Sequence, residues 1–290
     1  MMRIMRRHNI LILGALVIFC FVFSIVDAST LVVQKPSYSK GDYWDYISEI
    51  EYTYLSNDTL IMLETEDVYI EVIDVNPSND TIILEETIHS ILYNSTGTML
   101  DSSIIINTYY LQEADLAIKK AIQETTGGNR SVIEYLIPFK YVEYPIKLGN
   151  NGTLITAFNN EDGSTQLEVK YEVFKEEKDF PLEEVNGKKN VTFDCLVVEV
   201  NQTTIGVMTY MYFTPNVGNY VYLEEYSYEN LGTDQNPIVI KKAGYRELTG
   251  YSYAASKKRG KETPGLQMFF LILLLIIVSI FIRMQKHENN

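Results

Sequence analysis

The chain has 290 residues and a formal net charge of −14 at neutral pH. Hydrophobic segments occupy both ends and leave about 225 residues between them, enough for one all-β domain with a substantial core and no disulfide or metal. Nine of the 24 basic and three of the 38 acidic residues lie in 1–28 and 257–290, so 29–256 carries 15 basic against 35 acidic residues, a net charge of −20. Such a surface repels phosphate backbones and excludes nucleic acid as a partner.

The first 28 residues have the pattern of a secretory signal peptide. Three arginines within the first seven residues precede an apolar run from Ile10 to Val26. Val26 and Ala28 supply small residues at the −3 and −1 positions of a cleavage site. We predict a signal peptide at 1–28, with an uncleaved signal anchor as the alternative, and an extracytoplasmic domain at 29–256.

The C-terminal end is typical of a membrane anchor. Residues 266–282 are almost uniformly apolar and precede a short polar tail. This run is just long enough to span a thin bilayer as a helix. We predict a juxtamembrane linker at 257–265, a single transmembrane helix at 266–282 and a cytoplasmic tail at 283–290, which locates the protein in the cell membrane with the bulk of the chain outside.

One short motif at this anchor resembles a known sorting segment. Thr263-Pro264-Gly265-Leu266, followed by the apolar run and a short basic end, is similar to the C-terminal segments of PGF-CTERM-type archaeal surface proteins, with Leu266 in place of their Phe. The resemblance implies an archaeal cell-surface protein. It leaves open whether the C-terminal helix is retained or exchanged for a lipid.

Seven N-x-S/T sequons favour the same location, because such acceptor sites are glycosylated on secreted chains. Most fall at predicted turns, where a glycan is tolerated. The predicted glycosylation sites are Asn57, Asn79, Asn94, Asn129, Asn151, Asn190 and Asn201.

The domain between the two ends is rich in strand patterns. The segment 167–173 alternates strictly between apolar and charged residues, as a half-buried strand does. The other segments are rich in Ile, Val, Thr and Tyr, which suit a pleated surface. The predicted strands are 43–54, 68–75, 81–93, 99–110, 153–159, 167–173, 191–201, 204–213, 219–229 and 238–253.

We predict one helix among these strands. Apolar residues recur at helical spacing over 111–124, and two glycines follow at 127 and 128. The next apolar segment, 135–146, is interrupted by prolines and is predicted to be an ordered connection over the sheet. Hairpin-type turns are predicted at Asn186-Gly187 and at Asn150-Asn151-Gly152.

The predicted fold class is mainly β: a curved antiparallel sheet or half-barrel with one helix, in addition to the signal and transmembrane helices. Two repeated meanders are predicted within it. The first covers 40–125 and opens on Lys40-Gly41-Asp42-Tyr43-Trp44, and the second covers 145–253 and opens on Lys147-Leu148-Gly149-Asn150.

Several short motifs of this domain resemble lipoprotein-carrier (LolA-like) half-barrels. In that family a curved sheet wraps an apolar cavity, so the resemblance implies a lipid or hydrophobic ligand and supplies no catalytic residues. The motifs are Gly41-Asp42-Tyr43-Trp44, Phe193-Asp194-Cys195-Leu196-Val197-Val198, Tyr212-Phe213-Thr214-Pro215-Asn216-Val217-Gly218 and Arg246-Glu247-Leu248-Thr249-Gly250-Tyr251.

Residues that could carry catalysis or bind a metal are sparse. The domain has one histidine, His89, which the alternation of its strand places on the face opposite the apolar residues. Its one cysteine, Cys195, lies in an apolar strand and is predicted to be a buried thiol. Phosphate-binding loops, nucleophile elbows and a regular calcium loop are lacking in the sequence. We therefore predict no enzyme, no cofactor and no bound metal.

The tyrosines are the most unusual feature of the composition. All 22 lie between Tyr38 and Tyr253. Two functions fit: a non-catalytic surface protein that binds a lipid or other apolar ligand in the sheet's cavity, or a structural or adhesive module that contacts proteins or glycans through a Tyr-rich face. Cross-strand packing is the structural alternative for the rings. Candidate ligand or stacking residues are Trp44, Tyr210, Tyr212, Tyr220 and Tyr222.

Overall fold

The structure, a computed structural model, describes residues 31–160, 163–230 and 238–255. Within these ranges no helix is both long and apolar enough to cross a membrane. The segments predicted to target or anchor the chain lie outside the described residues, namely 1–28, 257–265, 266–282 and 283–290.

Fourteen strands and a short 3₁₀ helix, Pro77–Asn79, make up the described chain. The strands are β1 Val32–Val33, β2 Tyr43–Tyr54, β3 Thr59–Asn76, β4 Thr81–Asn94, β5 Met99–Leu111, β6 Ile118–Thr125, β7 Arg130–Phe139, β8 Ile146–Lys147, β9 Asn151–Asn160, β10 Gly163–Val185, β11 Lys188–Gln202, β12 Val207–Phe213, β13 Tyr220–Asn230 and β14 Val239–Ser252.

Twelve of these strands form a closed antiparallel barrel in the order β10-β11-β12-β13-β14-β2-β3-β4-β5-β6-β7-β9. The mainly β prediction is confirmed, but the open half-barrel is wrong. The sheet closes because β14 pairs with β2 from Ile240↔Tyr54 to Ser252↔Tyr43, while β7 meets β9 at Tyr135↔Phe158 and Ile137↔Ala157. Closure gives every barrel strand two neighbours and removes the free edges of an open sheet.

The predicted helix at 111–124 is wrong. Leu111 ends β5, residues 112–117 form a turn, and Ile118 begins β6, which pairs with β5 and β7. The turn is closed by two backbone hydrogen bonds, from Leu116 N to Gln112 O and from Gln112 N to Ala117 O, both 2.8 Å long. Ladder hydrogen bonds on both sides of β6 outweigh the weak helical periodicity of these residues.

The predicted connection at 135–146 is half correct. Its first part belongs to β7, and only residues 140–145 form a connection before β8. The turn predicted at Asn150-Asn151-Gly152 is not a hairpin, because it joins β8 to β9 and these strands do not pair with each other. The turn at Asn186-Gly187 is confirmed: both residues have positive φ angles and they join the paired strands β10 and β11.

Trp44 is fully buried and belongs to the hydrophobic core. The Trp44 indole donates a hydrogen bond to Val217 O at 2.7 Å, and the rings of Tyr38 and Tyr253 lie 5.5 and 6.3 Å from it. The small β1–β8 sheet adds Val33 and Ile146 to the same core. One part of the barrel interior is therefore filled by side chains.

The two six-stranded halves, β2–β7 and β9–β14, carry the same turn at their start. Gly41 N donates to Val72 O at 2.9 Å, and Gly149 N donates to Val173 O at 2.8 Å. The two glycines have φ angles of 84° and 83°. A β-bulge follows Val72 in β3 and another follows Val173 in β10. A duplication of the sequence itself stays a prediction.

Gly218 allows a direct test of the packing around Trp44. Its φ is +78° and an added Cβ would lie 2.7 Å from the Tyr253 ring, whereas Gly206, at φ +68°, has nothing within 4 Å. Gly218→Ala is expected to lower the free energy of unfolding by about 2–5 kcal/mol, from left-handed strain and overpacking together. Gly206→Ala should cost about 1–2 kcal/mol from the strain alone. Urea unfolding followed by circular dichroism measures both, and equal losses would contradict the packing described here.

Candidate functional site

A cavity of about 430 Å³ occupies the part of the barrel interior that is not filled by side chains. Strands β2–β5 and β12–β14 line it, and the connection after β7 covers it. Alternation along each strand turns every second side chain toward this space. Its apolar walls include Ile70, Leu84, Leu111, Met211, Phe213 and Leu223.

One wall of the cavity holds a buried charge. The Arg246 side chain on β14 is 19% exposed, and its Nη1 donates to Glu86 Oε1 at 2.8 Å and to the Tyr220 hydroxyl at 3.2 Å. Its Nη2 donates to Glu66 Oε2 at 3.4 Å. The register brings these groups together, because Glu66 lies on β3 and Glu86 on β4, while Arg246 and Tyr220 lie on β14 and β13.

Further hydrogen bonds fix Glu86. Its Oε2 accepts from the Asn107 amide at 2.9 Å and from the Tyr109 hydroxyl at 2.8 Å. Asn107 in turn accepts from Gln123 Nε2 at 3.2 Å. A carboxylate that is 6% exposed thus has a cation and two neutral donors, which offsets the cost of burying its charge.

Glu66 differs from Glu86 in its partners. Its side chain is only 10% exposed, yet among the described residues its one hydrogen bond is the 3.4 Å contact with Arg246. A carboxylate has about four acceptor positions. Glu66 therefore presents accepting oxygens to the cavity that it lines.

Burial and charge set the protonation of the site. Burial alone would lower the pKa of Arg246, but Tyr220, Glu86 and Glu66 raise it well above its usual value, so the guanidinium stays charged. Burial raises the pKa of Tyr220, against the opposing effect of Arg246, and burial also raises the pKa of Tyr109. Both phenols are therefore neutral at physiological pH: the Tyr109 hydroxyl donates to Glu86, and the Tyr220 hydroxyl accepts from Arg246.

An ion pair stands where the covering connection meets the β5–β6 turn. Lys140 Nζ lies 2.8 Å from Asp115 Oδ2. Burial alone would raise the pKa of Asp115, but hydrogen bonds from Lys140 and the Ala117 amide lower it. Both side chains of the pair line the cavity, so this contact holds two of its covering segments together.

A second, smaller cavity of about 180 Å³ lies farther along the same strands. Glu64, one of the two carboxylates that line it, accepts a hydrogen bond at each of its oxygens. The Tyr52 hydroxyl donates to Glu64 Oε2 at 2.7 Å and the Ser90 hydroxyl donates to Glu64 Oε1. Glu64 precedes Glu66 by two residues on β3 and faces the same interior.

The structure separates the five candidate stacking residues. Tyr220 lines the cavity, whereas Trp44 is fully buried and its ring contacts protein side chains. Tyr210, Tyr212 and Tyr222 alternate with cavity-lining residues and therefore lie on the outer face of the barrel.

An outer aromatic band includes these last three tyrosines. The Phe180 ring lies 4.5 Å from that of Tyr212, and the Tyr212 and Tyr222 rings are 5.3 Å apart. Phe174, 46% exposed, contacts Tyr210 at 5.9 Å. The rings pack mainly against one another, as cross-strand aromatic pairs do.

The remaining sequence candidates lie apart from the cavity. His89 is exposed, and Cys195 is fully buried, with its pKa raised to about 12 by burial first and then by Glu177 and Asp194. Among the described residues no group of three or more His, Cys, Asp or Glu side chains could hold a metal ion. Of the predicted glycosylation sites, five are exposed and Asn94 and Asn201 are partly buried.

Sequence reasoning missed the Arg246, Glu66 and Glu86 cluster. One signal was present: Glu86 stands on the same strand face as Ile82, Leu84 and Ile88. A carboxylate on an apolar face is a buried polar group that needs partners. Its cation, however, is 160 residues away along the chain, and only the barrel register joins them.

Comparisons with known proteins leave the family open. No protein-family model and no curated protein matches the sequence. One solved structure that aligns with it is described as a "putative lipoprotein" from Parabacteroides distasonis, at 13% identity and TM-score 0.28, covering 76% of this chain and 99% of the other. Another, from Bacteroides fragilis, is described as a "putative exported protein with YmcC-like fold", at 12% identity, TM-score 0.28 and the same coverage. A TM-score of 0.28 is too low to transfer a fold or a function to this chain.

Arg246 gives a prediction for the polar cluster. Arg246→Met leaves Glu86 and Glu66 buried without their cation and is expected to lower the free energy of unfolding by about 3–5 kcal/mol. The double variant Arg246→Met/Glu86→Gln should lose less stability than the sum of the two single losses, because Glu86→Gln removes one of the two carboxylates that Arg246→Met leaves without a cation. Arg130→Met, which removes the exposed Arg130–Glu124 pair, is the control and should cost about 0–1 kcal/mol. Urea unfolding of the four variants measures this, and strict additivity would contradict the coupling.

Proposed function

We propose that this chain is a non-catalytic, membrane-anchored surface protein whose barrel binds a small amphipathic ligand. The observation that supports this proposal is the 430 Å³ cavity, which has apolar walls and one wall of buried, hydrogen-bonded polar groups. Ligand sites typically have volumes of about 300–1,000 Å³ and combine an apolar lining with a few placed polar groups.

The volume narrows the ligand class. This volume lies in the lower half of the roughly 300–1,000 Å³ that ligand pockets usually occupy. It suits a single short chain with a polar head better than the two long chains of a complete phospholipid. The lipid ligand expected from the sequence is therefore refined to a small amphiphile.

The surface location rests on the chain ends and on the sequons. The apolar runs and their flanks favour export and anchoring, and the exposed sequons at Asn57, Asn79, Asn129, Asn151 and Asn190 are open to modification. The high negative charge of the domain favours a soluble exterior over nucleic-acid contact.

An adhesive role is the second candidate function, and the outer aromatic band favours it. Phe174 of this band is 46% exposed, and Tyr and Phe are enriched at protein interfaces. The band packs largely against itself, however, so part of its ring surface is already covered by neighbouring rings.

The cavity can be blocked to test the proposal. Leu84 lines it, and its neighbour Ile83 points to the opposite face of β4. Full-length protein is incubated with a mixture of single-chain amphiphiles that have short tails and anionic, neutral or cationic heads, re-purified and extracted with solvent for mass spectrometry. We expect one amphiphile bound per chain in the unmodified protein and in Ile83→Trp, and at least about tenfold less in Leu84→Trp, because the indole fills the space. Equal recovery from all three proteins, or no enrichment over an amphiphile-only blank, would contradict cavity binding.

A further inference from the structure

The charges around the cavity indicate what kind of polar head it accepts. Four carboxylates and three cations line it. Lys140 is engaged by Asp115 at 2.8 Å, and Arg246 is engaged by Glu86 and Glu66. The lining therefore carries one negative charge in excess, and its buried guanidinium is already neutralised.

Arg246 is a poor receptor for an anionic head. A carboxylate or phosphate that approached it would come close to Glu86 and Glu66, which bond the same guanidinium at 2.8 and 3.4 Å. Like charges at such distances inside a low-dielectric space repel strongly. An anion would have to displace one of these partners and leave it buried without a cation, which is costly.

Glu66 is a good receptor for a donor. Its side chain is nine-tenths buried, it lines the cavity, and its hydrogen bond to Arg246 is long at 3.4 Å. An ammonium group has three N–H donors and no acceptor, so it complements a carboxylate whose accepting positions are free. Glu86, with three donors already bound, has little such capacity.

Two further features suit a cation. The lining includes the rings of Tyr38, Tyr109, Tyr141, Tyr144 and Tyr220, and the face of a tyrosine ring attracts a cation within about 6 Å. The remaining lysine of the lining, Lys242, has its Nζ 5.9 Å from the centre of the Tyr52 ring, a residue of the smaller cavity. Its charge is thus directed toward the neighbouring space.

We propose that the ligand of this cavity is an amphipathic amine, with its ammonium bound by Glu66 beside the tyrosines and its apolar chain along Leu84, Met211 and Leu223. The inference rests on the proposed function, because it names the head group of the ligand that the cavity binds. It assigns Glu66 as the residue that selects the head.

The test compares three probes that share one tail: octylamine, octanol and octanoate. Isothermal titration uses the full-length protein in lipid nanodiscs, with empty nanodiscs as the blank for partitioning. At neutral pH we expect octylamine to bind at least about tenfold more tightly than octanoate, with octanol between them.

Two variants assign the effect to Glu66. Glu66→Gln is expected to weaken octylamine binding by about tenfold or more and to leave octanol binding unchanged, because only the charge is removed. Glu64→Gln is the matched control, on the same strand but bonded to Tyr52 and Ser90 in the smaller cavity, and should bind octylamine like the unmodified protein. Circular dichroism checks that both variants are folded, and the comparison of the three probes on the unmodified protein does not depend on any variant.

The outcomes separate the two proposals. Octanoate binding as tightly as octylamine, or an unchanged octylamine affinity in Glu66→Gln, would overturn the amine inference and leave an amphiphile-binding cavity in place. Failure of all three probes to bind the unmodified protein would overturn the proposed function and the amine inference with it.

Discussion

The ion pair between Arg246 and Glu86 is the contact on which the interior of this barrel depends. A guanidinium that is 19% exposed can be held inside only with a partner, and Glu86 supplies it at 2.8 Å. The pair connects β14 to β4, which have β2 and β3 between them in the barrel order, and Tyr220 and Glu66 extend the connection to β13 and β3. The same pair lines the cavity, so the contact that joins these strands also forms the polar part of its wall.

Barrel closure places these groups. Neighbouring residues of a strand point to opposite faces, so a shift of one residue between β14 and β2 would move Arg246 to the outside. The long pairing from Ile240↔Tyr54 to Ser252↔Tyr43 fixes this register. The packing of Trp44, Tyr38 and Tyr253 fills another part of the interior, which confines the cavity to the remainder. The packed core around Trp44 and the cavity thus occupy different portions of one lumen.

Local structure followed closely from the sequence, because alternation is a local signal. The strand predicted at 43–54 coincides with β2, and the turn at Asn186-Gly187 joins β10 to β11 as its residue types demand. The prediction of a helix at 111–124 is wrong, because a short apolar stripe at helical spacing carries no information about strand pairing. In the structure β6 pairs with both β5 and β7. The helical spacing of a few apolar residues was therefore a weaker determinant of secondary structure than the hydrogen-bonded pairing of β6 with β5 and β7.

The closure and the site could not be predicted in the same way. The joining of β14 to β2 is a contact between the two ends of the domain, and no local pattern marks it. Tyr220 was found as an aromatic candidate, but Arg246, Glu86 and Glu66 were missed because their function comes from meeting one another. Trp44 looked equally available in sequence, and the fold buries it completely.

Photo-crosslinking tests most directly whether an amphiphile lies inside the barrel. A short alkylamine with a diazirine in its chain is irradiated with the full-length protein in nanodiscs, and peptide mass spectrometry locates the adducts. Binding in the cavity predicts adducts at inward positions of β4, β12 and β13, at Leu84, Met211 and Leu223. Adducts confined to exposed apolar residues of the outer face, such as Leu136 and Ile155, or to residues 266–282, would contradict it.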